Sequence, residues 1–285
     1  MKWILVAAAV MAAGMLQAQA PALPMEPAHE SGQSITPAYE GWFKNADGSF
    51  SLLVGYYNRN KQAALDVPVG PDNRIEPGGP DRGQPAHFLA GRQWGVFTIR
   101  VPADFGDNKL TWTINANGKP MQIPLSLNVL WEVEPFRDAN GNTPPWVSFT
   151  ESGPFRSGPV AEAEVRTATV GTPLSLSAWI ADDEKQAPGA RRPPAPAAAV
   201  SWSRFRGPAE VTFSNARPSV EKADNPNAPS GTLFQGKAMA TATFKEPGDY
   251  VLRLQINDWS GDGGRGFQCC WSTALMKVSV KAAGN

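Results

Sequence analysis

The chain has 285 residues, of which 42% are hydrophobic, and its 26 Lys and Arg residues balance 26 Asp and Glu residues. A chain of this length and hydrophobic content can bury a substantial core, which excludes a wholly disordered protein. The charge balance leaves no net field to attract nucleic acid or an anionic membrane, so neither is expected as a partner. The 27 Gly and 27 Pro residues favour short strands joined by tight turns rather than helices.

Residues 1–20 have the layout of a secretory signal peptide. Lys2 precedes an apolar run from Trp3 to Leu16, and small residues follow, with a small-x-small cleavage site at Ala18-Gln19-Ala20 or an alternative cut after Ala18. The apolar run is shorter than the ~20 residues of a spanning helix, and no later stretch is long and apolar enough to cross a membrane. The sequence therefore predicts an exported protein, periplasmic or secreted, whose mature form has no transmembrane anchor.

A first β-sandwich domain is predicted at residues 39–135, after an extended lead-in at 21–38. Phe50, Leu52, Val54 and Tyr56 fall on one face of a strand, which is the period-2 pattern of a half-buried sheet. The other strands predicted in this domain are Leu65–Val69, Gly95–Val101, Lys109–Asn115 and Met121–Leu127, the last two joined by a hairpin turn at Asn117-Gly118. No segment here shows a sustained apolar period of 3.6 residues, so helices are not expected.

A linker at residues 136–160 is predicted to lead into a second β-sandwich at 161–282. Its predicted strands are Val165–Val170, Pro173–Ile180, Val200–Phe205, Val211–Ser214 and Ala274–Val280, with two more inside Ala240–Asp258. The strands within Ala240–Asp258 meet at a corner, Glu246-Pro247-Gly248-Asp249, whose Pro presets φ and whose Gly permits positive φ.

Tyr250 opens the strand after this corner. In immunoglobulin-like sandwiches a tyrosine at this place hydrogen-bonds back to the corner backbone. Tyr250, Pro247 and Gly248 are therefore predicted to be structural, and so is Trp202, which falls in the core phase of its strand.

The second domain resembles the PKD-like and immunoglobulin-like extracellular β-sandwich domains of bacterial surface proteins. The matching pieces are VGTPLSLSAWIADDE (Val170–Glu184), Ser201-Trp202 and FKEPGDYVLRLQINDWSG (Phe244–Gly261). PKD domains usually carry Trp-Asp-Phe-Gly-Asp-Gly where this chain has Trp202 to Gly207, WSRFRG, so the likeness is to the broader immunoglobulin-like class. The first domain, with Gly41–Asn60 and Gly83–Gly106, resembles a segment of uncharacterised secreted bacterial proteins, a resemblance that implies no activity.

Cys269 and Cys270 are the two cysteines of the chain, and they are adjacent. Neighbouring Cα atoms lie about 3.8 Å apart, below the usual disulfide range, and adjacent side chains of a strand point to opposite faces. The alternatives are a strained vicinal ring, an intermolecular bridge, or one buried and one exposed thiol. The last two are preferred over the ring.

Two acidic groups follow predicted strands of the second domain. Asp182 and Asp183 end one strand, and Asp258 and Asp262 follow another, so their oxygens could converge at one end of the sandwich and bind Ca²⁺. The alternative, which is preferred, is that these residues are solvated and start turns, since their spacing matches no defined calcium loop.

Three tryptophans in or beside predicted loops, Trp94, Trp259 and Trp271, are candidates for stacking on sugar rings. Packing beneath a loop is the commoner fate of such residues. For catalysis, His87 is the one histidine within a predicted domain, and there is no nucleophile elbow, zinc-binding histidine pair or phosphate-binding glycine loop.

The sequence therefore favours an exported, non-catalytic protein of two β-sandwiches that serves as a binding or structural accessory of the bacterial envelope. Its expected partner is an envelope protein or a glycan, with no cofactor other than a possible Ca²⁺. A carbohydrate-binding protein that uses loop tryptophans is the first alternative. A hydrolase with an unrecognised site is the second, and it requires His87 to lie in a pocket beside an acid and a hydroxyl.

Overall fold

The structure is a computed structural model that describes residues 29–159, 163–185, 197–258 and 270–284. The prediction of an all-β protein of β-sandwich class is confirmed, since the regular elements of the described residues are strands apart from one short 3-10 helix at Val129–Trp131. Within these ranges no helix is long and apolar enough to span a membrane. The predicted signal peptide lies outside the described residues.

The first sandwich is built from eight strands: β1 Ile35–Lys44, β2 Phe50–Asn58, β3 Leu65–Asp66, β4 Asn73–Glu76, β5 His87–Phe88, β6 Gly91–Val101, β7 Lys109–Ala116 and β8 Lys119–Ser126. Two antiparallel sheets, ordered β1-β2-β6 and β4-β7-β8, enclose its core, and β3 pairs with β5 beside them. Leu110, Trp112 and Ile114 alternate along β7 and are buried, as their period predicts. Asn117 and Gly118 both have positive φ, 53° and 71°, which is the turn geometry of a two-residue hairpin.

The described residues of the second sandwich form nine strands: β9 Trp146–Ser148, β10 Ala163–Thr169, β11 Leu174–Asp182, β12 Ala198–Arg206, β13 Val211–Phe213, β14 Glu221–Lys222, β15 Phe234–Phe244, β16 Gly248–Asp258 and β17 Trp271–Lys281. One sheet is ordered β10-β17-β16-β12 and the other β13-β15-β11-β9, with β14 added to β15. β10 runs parallel to β17, and the other pairs are antiparallel. Two facing sheets of this kind are the arrangement of immunoglobulin-like sandwiches.

Five of the described strands lie where the sequence predicted none: β1, β4, β5, β9 and β14. β1 begins at Ile35, inside the predicted lead-in, because Ile35 and Tyr39 bury their side chains in the first core. β9 lies inside the predicted linker and pairs with β11, where Val147 joins the second core. Strands this short, or with Pro37 and Gly41 in them, give little alternation to detect.

The two sandwiches share part of one core. The register of β12 against β16 shifts between Arg204 and Arg206, a β-bulge at which Phe205 faces the first sandwich. Phe205 is 3% exposed and belongs to the core cluster of the first sandwich, with Val251 and Leu275 packed beside it. The Phe205 carbonyl also accepts a hydrogen bond from the Ala86 N–H at 3.0 Å.

Charged contacts flank this shared core on both sides of the bulge. Arg204 Nη2 lies 2.9 and 2.8 Å from the two carboxylate oxygens of Asp66. Arg206 forms a bidentate pair with Asp81 at 2.9 and 2.8 Å, and its Nε donates to the Gln84 carbonyl at 2.7 Å. Two-pronged arginine pairs fix orientation as well as distance, so the bulge sets how the sandwiches meet.

The predicted tyrosine corner is present. The Tyr250 hydroxyl donates to the Glu246 carbonyl at 3.0 Å, and its ring packs against Phe244 at a centroid distance of 4.8 Å. Tyr250 is 1% exposed and lies in the second core together with Trp202. Pro247 and Gly248 form the turn, where Gly248 takes a φ of 141°.

Tyr250→Phe removes only the hydroxyl and should lower the free energy of unfolding by about 0.5–1.5 kcal/mol. Tyr250→Ala also deletes a core ring and should cost about 3–5 kcal/mol. Urea unfolding of the full mature chain measures both, with Tyr57→Phe as the control because Tyr57 is 44% exposed. A neutral Phe variant together with an Ala cost under about 1 kcal/mol would show that the corner does not stabilise the fold.

Candidate functional site

A polar cavity of about 340 Å³ lies where the second sandwich faces the first. Its floor is the outer face of the β12–β16 ladder, where Ser203 stands opposite Arg253, Ser201 opposite Gln255, and Ala199 opposite Asn257. These residues share a face because side chains along a strand alternate, while Trp202, Leu252 and Leu254 point into the second core. Arg92 and Gln93 of β6 and Leu89 close it from the first sandwich. We call it the arginine cavity.

Three arginines line the arginine cavity: Arg92, Arg217 and Arg253. Arg253 is 4% exposed, whereas Arg217 lies on the surface after β13. No Asp or Glu is among the described residues that line it. The cavity therefore combines positive charge with amide and hydroxyl groups.

Arg92 is held by several contacts. Its Nη2 donates to Glu40 Oε1 at 2.6 Å, and its Nη1 donates to the Tyr56 carbonyl at 3.0 Å. Its guanidinium lies 3.8 Å from the centroid of the Trp94 ring. Burial raises the pKa of the Glu40 carboxyl, while the charges of Arg92 and Arg253 act in the opposite direction. A single buried carboxylate, Glu40, thus interacts with two guanidiniums.

Sequence reasoning missed the arginine cavity. Arg253, Gln255 and Asn257 alternate with core residues, and that pattern is typical of a solvent-facing strand side. The one sequence signal near this face is the apolar Phe205, which falls in the same outward phase of β12 as Ser201 and Ser203.

The predicted sugar-binding tryptophans do not form one surface. Trp271 is 1% exposed and packs with Phe43 and Leu53 between the sandwiches, so its prediction as an exposed ligand-binding residue is wrong. A Cβ at Gly95 would lie 2.1 Å from the Trp271 ring, so the ring fits because Gly95 has no side chain. Trp94 lies within β6, is partly exposed and stacks on Arg92. Trp259 lies outside the described residues.

The acidic residues do approach one another at one end of the second sandwich. Asp182 ends β11 and Asp258 ends β16, in facing sheets, and both are buried rather than solvated. Burial raises the pKa of Asp182 to about 7, and the charges of Asp258 and Asp183 add to the shift. Asp182 Oδ2 is buried and has no hydrogen-bond partner among the residues that the structure describes.

Two of these carboxylates bind the segment that precedes β9. Asp258 Oδ2 accepts from Asn142 Nδ2 at 2.7 Å, and Asp183 Oδ2 accepts from the Thr143 hydroxyl at 2.9 Å. Within the described part of the chain, no three His, Cys, Asp or Glu side chains are grouped as a metal site. Asp262 lies outside the described residues, and Ca²⁺ binding here stays a prediction.

His87 does not belong to an assembled catalytic set. Its Nδ1 lies 2.9 Å from Asp66 Oδ1 and 2.8 Å from Arg204 Nη2, within the ion pair between the sandwiches. Burial lowers the pKa of the His87 ring, which therefore favours its neutral form at pH 7. Asp66 supplies an acid beside His87, but among the described residues no hydroxyl contacts the ring. The hydrolase alternative requires both groups beside His87, and this requirement is not met there.

Cys270 is buried and disulfide-bonded. The expectation of a thiol therefore does not hold for Cys270. Its Sγ lies 3.4 Å from the Asn142 carbonyl oxygen, close to the acidic end of the sandwich. Cys269 lies outside the described residues.

A second cavity of about 350 Å³ lies beside β9 and β17, lined by Phe149, Pro154 and Ala274 among others. Arg156 and Glu164 contribute opposite charges to its walls, so it offers no net charge to select a ligand.

No protein-family profile matches the sequence, and no curated protein matches it. Among solved structures, domains 4 and 5 of the S-layer protein SbsC are 10% identical, with a TM-score of 0.24, covering 87% of this chain and 98% of that one. The human desmocollin-1 ectodomain is 10% identical, with a TM-score of 0.25 over 88% of this chain and 43% of that one. An endo-fucoidan hydrolase of glycoside hydrolase family 107 is 11% identical, with a TM-score of 0.24 over 90% of this chain and 31% of that one.

This chain thus spans about a third of the length of the fucoidan hydrolase. Similarities at this level of TM-score contribute nothing to the assignment of a function. The site is therefore interpreted from its own residues.

The raised pKa of Asp182 predicts a pH-dependent stability. An acid whose pKa rises from 3.8 to about 7 on folding favours the folded state fully below pH 4, and this contribution is lost as pH rises through 7. Between pH 4.5 and 8 the loss should be on the order of 3 kcal/mol, since one pKa unit is about 1.4 kcal/mol and part of the effect lies below pH 4.5. Urea unfolding between pH 4.5 and 8 in EDTA measures it.

Asp182→Asn removes the titrating group, so the variant should lose much less stability over this range. Asp107→Asn is the matched control, because Asp107 is exposed, and its pH profile should follow that of the wild type. Parallel pH profiles for the wild type and Asp182→Asn would contradict the assignment of a raised pKa to Asp182.

Proposed function

We propose that this protein is an exported, non-catalytic glycan-binding protein whose ligand site is the arginine cavity. The predicted signal peptide supports export to the periplasm or the exterior. The observation that carries the proposal is the cavity itself, which lies between two sandwiches and gathers arginine, amide and hydroxyl side chains, with no acid or histidine among the described residues that line it.

Location and size both support a binding role. Ligand sites occur preferentially at domain interfaces and have volumes of about 300–1,000 Å³, and the arginine cavity meets both conditions. Its floor is a two-stranded ladder and its upper wall includes β6, so most of its polar groups are held by regular backbone. A site on rigid strands binds without the cost of ordering a loop.

The same residues argue against general acid–base chemistry in this cavity. Such catalysis needs a group that exchanges a proton near the working pH, usually His, Glu or Asp. The lining arginines remain protonated, and the amides and hydroxyls of Gln93, Gln255 and Ser201 do not titrate near neutral pH. His87 contacts Arg204 and Asp66 instead.

A panel of neutral and acidic polysaccharides tests the proposed function with the mature chain. Isothermal titration calorimetry should detect binding of at least one class, and a reducing-end assay on the same mixtures should detect no cleavage. New reducing ends would contradict a non-catalytic role. Absence of binding across the whole panel would contradict a glycan-binding function.

A further inference from the structure

We infer that the arginine cavity binds an acidic saccharide unit through its carboxylate or sulfate group. This inference rests on the proposed function and names the ligand class of the same site. It depends on the charge, the burial and the hydrogen-bonding groups of the cavity walls.

The charge of the walls selects an anion. Among the described residues, Arg92, Arg217 and Arg253 bring three guanidiniums to one cavity, and the Glu40 carboxylate binds Arg92 and the Gly95 N–H. Because Arg253 is buried, an anion near it interacts through a medium of lower dielectric than water. An oxyanion that enters the cavity thus meets one buried and one exposed guanidinium, those of Arg253 and Arg217.

The geometry of arginine favours oxyanions over other anions. A guanidinium presents its N–H groups as a planar fork that pairs with two oxygens of a carboxylate or of a sulfate. Arg217, on the exposed rim, and Arg253, in the floor, lie on the same cavity.

The remaining walls suit the hydroxyl groups of a sugar. Gln93, Gln255 and Asn257 offer amides that both donate and accept, and Ser201 and Ser203 offer hydroxyls. A ligand consisting only of a small inorganic anion would leave these groups in water. A sugar ring that carries an oxyanion can bind the guanidiniums through the oxyanion and the amides and hydroxyls of the walls through its own hydroxyl groups.

The mature chain is titrated calorimetrically with two matched pairs: oligogalacturonate against its methyl ester, and dextran sulfate against dextran. Binding of the acidic member of either pair, with its uncharged counterpart at least tenfold weaker, supports the inference. Oligogalacturonate identifies a carboxylate ligand and dextran sulfate a sulfate ligand. Equal binding of charged and uncharged members would overturn the inference while leaving the proposed binding function standing.

Three variants test whether the acidic ligand binds in the arginine cavity. Arg217→Ala should weaken binding of the acidic ligand about tenfold, the usual effect of losing a charge-assisted hydrogen bond, and Gln255→Ala should weaken it severalfold. Arg137→Ala, an equal charge change at an exposed arginine that does not line the cavity, should leave affinity unchanged. Arg217 is exposed, and a thermal melt of each variant verifies that it folds.

Two results would contradict this placement. If Arg137→Ala weakens binding as much as Arg217→Ala, the attraction is non-specific and the inference fails. If neither Arg217→Ala nor Gln255→Ala changes the affinity, the acidic ligand binds elsewhere. If the wild-type chain binds no saccharide of either pair, the inference fails, while the wider polysaccharide panel tests the glycan-binding function separately.

Discussion

The two sandwiches meet because β12 bulges between Arg204 and Arg206 and presents Phe205 to the core of the first sandwich. Removal of a buried aromatic side chain costs about 3–5 kcal/mol, a large fraction of the stability of an ordinary domain. Arg204 and Arg206, on either side of Phe205, form ion pairs with Asp66 and Asp81 of the first sandwich. The hydrophobic contact of Phe205 therefore has an ion pair on each side. Because the carboxylates of Asp66 and Asp81 are exposed, these ion pairs contribute less free energy than buried pairs would. We therefore assign the attachment of the two sandwiches mainly to Phe205.

The arginine cavity follows from this contact. The outer face of β12, β16 and β17 is apolar at Val251 and Leu275, where it meets the first core, and polar at Arg253 and beyond, where the two surfaces do not close. A single sheet face thus provides both the attachment between the sandwiches and the floor of the cavity. Trp271 packs with Phe43 and Leu53 between the sandwiches, where Gly95 leaves room for its ring. The ligand site is therefore a product of the interface and belongs to neither sandwich by itself.

The fold was largely predictable because each sandwich obeys local rules. Alternation at Leu110 to Ile114 predicted its strand, and the tyrosine corner was predictable from the turn before Tyr250. The approach of Asp182 to Asp258 was also predictable, since both end strands of facing sheets, although their burial was not. The site was not predictable in the same way. Whether the outer face of a strand meets water or a second domain depends on long-range packing, and nothing local to Trp271 or Arg253 distinguishes the two cases.

Differential scanning calorimetry of the mature chain tests most directly whether the two sandwiches share one core. The account predicts one transition with equal calorimetric and van 't Hoff enthalpies, because neither sandwich unfolds without exposing Phe205 and its neighbours. Phe205→Ala should lower the midpoint of that whole transition or split it into two. Two separate transitions in the wild-type chain, with neither midpoint changed by Phe205→Ala, would contradict the shared core and the interface that forms the arginine cavity.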